Sequence, residues 1–243
     1  KNNYKILFIL GFITGLCMLL RGEFIIIFLF SLIYLKSLKQ INTKKFLIII
    51  LTTVITISPY LIRNYLNFDK VTITKSFGYN LWKGNNIDAT VEGSESALAF
   101  QSGDISEKIN QINIDNYYDF NFDKIFLNYS LELIRQDPFL FVERYVKKFF
   151  SFLFFNFNSE YPNYYNLFNI IPLILLTIIF IPSVIFSYQK NTTYYYLILK
   201  LLLTVGIFSL FFILPRYKLI ILPIQLILIN FLIVKILNFM KKN

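Results

Sequence analysis

The sequence has no histidine and only one cysteine among its 243 residues. The first absence excludes His-based catalytic triads, His-ligated zinc and His-ligated haem. The second excludes an internal disulfide, and Cys17 lies in an apolar run with no second thiol to make a metal motif. Acid–base chemistry is therefore left to Asp, Glu, Lys and Tyr. No cofactor is expected, and a divalent metal finds no ligand pattern to support it. Lys and Arg outnumber Asp and Glu by 24 to 14. No basic recognition helix accompanies that excess, so nucleic acid is not an expected partner.

What the chain has instead is hydrocarbon. Hydrophobic residues make up 56% of it, against about 45–50% in an ordinary soluble domain. The excess is concentrated in runs such as 46–57, 170–186 and 219–237. Runs of roughly 17–25 apolar residues match the thickness of a bilayer core. The pattern predicts an all-α membrane protein with about six transmembrane helices, near 5–20, 24–35, 46–62, 166–187, 195–214 and 219–238. The second is short: twelve helical residues rise only about 18 Å. One large loop, 63–164, separates helices 1–3 (residues 1–62) from helices 4–6 (165–243).

Charge orients these spans. Lys36, Lys39, Lys44 and Lys45 crowd the loop 36–45 without an acid, which marks a cytoplasmic loop. Lys1, Lys5, Lys190, Lys241 and Lys242 then fall on the same side, and the large loop is external. That loop holds 13 of the 14 acidic residues, and Glu23 is the exception. The expected location is a bacterial plasma membrane with a periplasmic loop and a cytoplasmic C-terminus. The chain begins without Met and reads as the C-terminal piece of something longer.

Within the loop, Val71–Gly84 alternates like a strand or turn segment, and 88–123 reads as loop with short helices. From about Phe126 to Phe155 the pattern is helical, broken at Pro138 with Asp137 as N-cap. Residues 139–155 read as an amphipathic interfacial helix whose face carries Glu143, Arg144, Lys147 and Lys148. Tyr161, Tyr164 and Tyr165 would form an aromatic belt. The acids Asp88, Glu92, Glu95, Asp104 and Glu107 fit no calcium-loop spacing and read as a solvated face. Asn128-Tyr129-Ser130 is a sequon of the kind that recurs by chance. Trp82, alone in a polar stretch, is a candidate for stacking on a sugar or for anchoring its loop.

The informative charges sit at the outer helix ends: Arg21, Arg63, Lys147, Lys148, Arg216 and Lys218. Single cations there usually snorkel. Several from separate segments are a candidate site for an anionic headgroup such as a phosphate.

Five segments resemble a family. Gly11 through Arg21 to Glu23 resembles the "G-L-a-x-L-x-R-P-e" helix end of polytopic C-fold glycosyltransferases that use polyprenyl-phosphate sugars, such as protein O-mannosyltransferases and aminoarabinose transferases. Pro59-Tyr60-Leu61-Ile62-Arg63-Asn64-Tyr65 resembles their "P-W-x-x-R-N-y". Phe77 to Asn86 resembles "G-x-n-l-x-x-G-N-n", with Asn80, Trp82, Gly84 and Asn85 as substrate-loop candidates. Tyr129–Lys148, with Asp137-Pro138, resembles "A-x-x-x-I-x-x-x-P-x-x-y-x-x-x-x-x-K", and Pro215-Arg216-Tyr217-Lys218, then Pro223, resembles the late "x-R-Y-r-x-p-x-x-P" turn. Gly22 stands where the family usually has Pro, and Tyr60 where Trp is common.

The resemblance implies sugar transfer from a polyprenyl phosphate to a glycan, lipid or protein acceptor at the outer face of the lipid bilayer. Arg216, Arg63, Arg21, Lys147, Lys148 and Lys218 would hold the donor phosphate, with Tyr217 as a hydroxyl donor. The family's catalytic carboxylate lies in a first external loop that nothing in this chain matches, so no catalytic residue is assigned. A transporter or flippase of lipid-linked glycans, or a glycan polymerase or ligase, is the alternative. The sequence shows no internal repeat of the kind that marks transporters.

Overall fold

The computed structural model describes residues 4–86, 88–92, 104–115, 117–156, 158–159, 161, 163–186 and 192–241. Lys1, Glu95, Lys190 and Lys242, named above, lie outside the described residues. Among those described the protein is helical, without a strand. The helices are α1 (Tyr4–Leu20), α2 (Phe24–Ser37), α3 (Thr43–Phe68), α4 (Phe77–Asn85), α5 (Asp104–Asn110), α6 (Tyr118–Gln136), α7 (Pro138–Leu153), α8 (Leu167–Phe186), α9 (Thr192–Ser209) and α10 (Leu222–Met240). A 3₁₀ segment, Pro215–Ile220, precedes α10.

Four helices, α3, α8, α9 and α10, are long and apolar enough to cross a membrane. α1 and α2 are apolar but shorter, at 17 and 14 residues, or about 25 and 21 Å at 1.5 Å per residue. Six helices therefore lie where six spans were expected, and four of them have full spanning length.

The chain forms two compact units, Lys1–Phe77 with Gln111–Asp123, and Gly78–Asn110 with Lys124–Asn243. The first is organised by α1 against α3. A Cβ on Gly11 would lie 2.8 Å from the Ile49 carbonyl oxygen, and one on Gly15 would lie 2.6 Å from the Thr56 Cβ. Gly11 and Gly15 are four apart, the small-xxx-small spacing that lets two helices approach closely in lipid. The Thr53 hydroxyl lies 3.1 Å from the Gly11 carbonyl and 2.9 Å from the Ile49 carbonyl, a bond across that contact and one along α3. Elsewhere in this unit Asn64, fully buried, donates to the Thr72 carbonyl, and Lys75 pairs with Asp119 at 3.2 Å over the Phe68 ring.

The second unit packs α8 against α10 and α7 against α9. Lys235 of α10 donates to the terminal carbonyl of α8 at Phe186, and Tyr194 of α9 donates to Val184. Both bonds close helix-end carbonyls that have no partner within α8.

The break at Pro138 is present, with the Asp137 carboxylate accepting from the Leu140 amide at 2.9 Å. Three readings are corrected. The end of Val71–Gly84 is helix α4 rather than strand, because the helix buries Gly78, Leu81 and Trp82 against the rest of its unit. α7 turns Arg144 and Lys148 inward, so its four charges do not share an outer face. Tyr164 is 3% exposed and stacks on Phe155, so it is core and not belt.

Candidate functional site

The second unit gathers its charge around the C-terminus of α4. A helix end leaves its last carbonyls without intrahelical partners and carries a partial negative charge. Here cations from α7 occupy it. The Lys148 ammonium donates to the Gly84 carbonyl at 3.1 Å, to the Asn85 Oδ1 at 3.0 Å and to the Phe211 carbonyl at 3.3 Å. Arg144, one turn earlier, donates to the carbonyls of Asn85 and Asn86. Arg144 also lines a cavity of about 160 Å³ at the α6–α7 elbow, with Asp137 and Phe141.

α4 is pressed onto the segment that follows α9. A Cβ on Gly84 would sit 2.5 Å from backbone atoms of Phe211 and Phe212. The Phe212 amide donates to Asn80, and the Asn85 amide donates to Leu210 at 2.9 Å. Gly84 and Asn85, read as substrate-loop residues, thus serve this contact. Trp82, 6% exposed, packs on Phe126 with ring centroids 4.7 Å apart. Its faces are taken up by the protein, and it anchors α4 rather than offering a platform.

A second cluster is built on Glu92, which the sequence placed on a solvated face. Its side chain is fully buried. Its carboxylate accepts from Ser151 at 2.7 Å, from Ser159 at 2.5 Å and from the Lys218 ammonium at 2.9 Å. Lys218 also donates to the Phe154 carbonyl at 3.0 Å. Burial pushes the Lys218 ammonium below its ordinary pKa, and Glu92 pulls it back up. A buried pair needs such added bonds to offset the loss of hydration. Asp88 and Glu107 are exposed, as expected.

Lys148 and Lys218 were expected at a donor phosphate. Their ammonium groups are instead committed inside the protein. Lys147 is exposed and paired with Glu143 at 2.5 Å. Arg21 and Arg63 belong to the first unit, where Arg63 lies over the Tyr60 ring and donates to Asn64.

What the fold does bring together is Arg216 and Lys83. The Lys83 ammonium sits 4.0 Å from the centroid of Phe212. Burial, and then the nearby positive charge of Arg216, hold it below the ordinary lysine range. Arg216 itself is exposed, beside the Tyr217 ring. Among the described residues neither cation has a carboxylate within ion-pair distance. Two cations that repel each other and remain half-open are a place for an anion.

No match is found for this chain among protein-family models, curated proteins or solved structures.

Lys83 lies inside the Phe77–Asn86 segment, but nothing in the sequence singles it out. The signal was weak: one lysine in the last turn of a polar helix. Only the packing of Gly84 on Phe211 carries it to Phe212 and thence to Arg216.

Proposed function

We propose that the protein is a membrane glycosyltransferase that moves a sugar from a polyprenyl-phosphate donor to an acceptor hydroxyl. The observation that carries this reading is Lys83 beside Phe212, near enough to Arg216 to feel its charge, at the short segment between α9 and α10. Both helices are of membrane-crossing length. A cation pair at the joined ends of two such helices suits a phosphate carried on a lipid chain. The five resembling segments supply the reaction class, and Lys83 and Arg216 lie in two of them.

In the reaction the acceptor oxygen attacks the anomeric carbon and the bond from that carbon to the phosphate oxygen breaks. The phosphate leaves with the electron pair. The acceptor's proton passes to a carboxylate, which the resemblance places in an upstream external loop. Lys83 and Arg216 stabilise the charge that grows on the leaving phosphate, and Tyr217 adds a hydroxyl donor. Lys148 and Lys218 act as positioning residues, holding α4 and the 3₁₀ segment so that the two cations meet.

The test uses full-length protein in membranes with a panel of polyprenyl-phosphate hexoses and pentoses, reading the polyprenyl phosphate set free. Arg216→Ala is expected to lower turnover by about 100-fold or more, the effect of removing one donor to a developing oxyanion, while membrane insertion is unchanged. Undiminished turnover by that variant, or no turnover of any such donor by the unaltered protein, overturns the reading.

A further inference from the structure

Helix α7 is inside out for a helix on a water-facing loop. Phe139, Val142, Val146 and Phe150 are all exposed, at 79, 54, 43 and 55%. Their spacing of three, four and four residues puts them on one helical stripe. The charges that a wetted helix would turn outward, Arg144 and Lys148, point into the protein. Only Glu143 and Lys147 stay on the outside, and they neutralise each other.

The chain beyond α7 shows how deep the helix goes. The Phe155 amide donates to the Thr177 hydroxyl at 3.0 Å. Thr177 lies ten residues into the 20-residue α8, about 15 Å from its start and near its middle. The Phe154 ring lies 6.4 Å from that of Phe180, further along the same helix. The Leu153 carbonyl accepts from Gln225, within the first turn of α10 and 2% exposed. The end of α7 is therefore level with the middle of α8 and with the first turn of α10, both of spanning length.

Backbone that leaves a helix at that depth has no water to bond to, and it persists only where protein groups satisfy it. Here they do. Gln225, Lys218 and Thr177 take up Leu153, Phe154 and Phe155. The tyrosine oxygens of Tyr164 and Tyr165 accept from the amides of Asn156 and Ser159. The chain then begins α8 at Leu167.

We infer that α7 and the segment returning to Leu167 form a re-entrant hairpin. α7 dips into the bilayer beside α9, its Phe139–Phe150 stripe facing lipid acyl chains, and the chain comes back to the side it left. The partner of the stripe is the lipid hydrocarbon. The buried charges Glu92, Lys148 and Lys218 lie on the opposite side of the hairpin, screened from it.

The experiment places a spin label at Cys introduced for Phe139, Val146 or Phe150, one at a time, in the full chain carrying Cys17→Ser. Each variant is reconstituted in phosphatidylcholine–phosphatidylglycerol vesicles. A label replacing Ile178, mid-way along α8 and 61% exposed, is the depth reference. The collision ratio of oxygen to a water-soluble nickel chelate is expected to rise several-fold from position 139 to position 150. At 150 it should approach the Ile178 value. Equal ratios along the stripe mean a helix lying flat at the surface and overturn the hairpin. Immobilised labels shielded from both quenchers mean that protein, not lipid, covers the stripe, and overturn it equally. Because all these positions are exposed, the substitutions leave the packed side of α7 intact.

Discussion

The two units solve the same problem, helices side by side in an apolar setting, by opposite means. In the first, α1 and α3 meet through Gly11, Gly15 and Thr53, where a Cβ on either glycine would fall within 3 Å of α3. In the second, the spaces between α4, α7 and the 3₁₀ segment are filled by Lys148, Lys218 and Glu92, each under a tenth exposed. Close apolar packing needs nothing but shape, and it tolerates loss of any single hydrogen bond. Buried charge holds several segments at once, but only while every partner is present. The first unit is built to be fitted; the second is built to hold a particular arrangement of loops, which is what a site requires.

That contrast can be broken at its strongest point first. Glu92→Leu leaves Lys218 buried without its carboxylate and is expected to cost about 3–5 kcal/mol, read as a shift in unfolding in bicelles followed by far-ultraviolet circular dichroism. Adding Lys218→Met should recover more than half of that loss. A double variant no more stable than Glu92→Leu alone would show that the pair is not the element that holds these loops.

The glycines give a smaller and more discriminating comparison. Gly84→Ala and Gly15→Ala each place a methyl within 2.6 Å of existing atoms, and each is expected to cost about 1–3 kcal/mol of overpacking. Only Gly84→Ala should also reduce turnover of a polyprenyl-phosphate sugar, because it moves Lys83 relative to Phe212. Equal effects of both on turnover would erase the distinction between the units. The smallest effect belongs to Lys147→Ala. It removes an exposed i,i+4 pair and should change stability by less than about 0.5 kcal/mol and leave turnover as it was.

Much of the fold was legible in the sequence, for a local reason. An apolar run long enough to cross a bilayer has few alternatives to a helix, since its own backbone must satisfy itself. Six runs thus marked six helices. The Asp137–Pro138 junction was legible too, because a cap and a proline act within one turn. Where alternation of two competed with the helical period, at Val71–Gly84, the local pattern misled. The packing of Trp82 on Phe126 decided for the helix.

The site was legible in part. Arg216 and Tyr217 stood out as charge and hydroxyl in a short segment between apolar runs. Lys148 and Lys218 stood out in the same way, yet their roles differ. A sequence gives a cation's position along the chain but not its acceptors. Lys148 found carbonyls left open at the end of α4, and Lys218 found a carboxylate from a stretch that read as solvated. Glu92 looked no different from Asp88 until burial separated them.

By itself, then, the sequence determined that this chain is helical, apolar and segregated in charge, because hydropathy and capping act within a few residues. Tertiary structure alone decided which charges face inward, which cation sits beside Phe212, and which helices α7 meets, because each depends on residues far apart in the chain sharing one small volume.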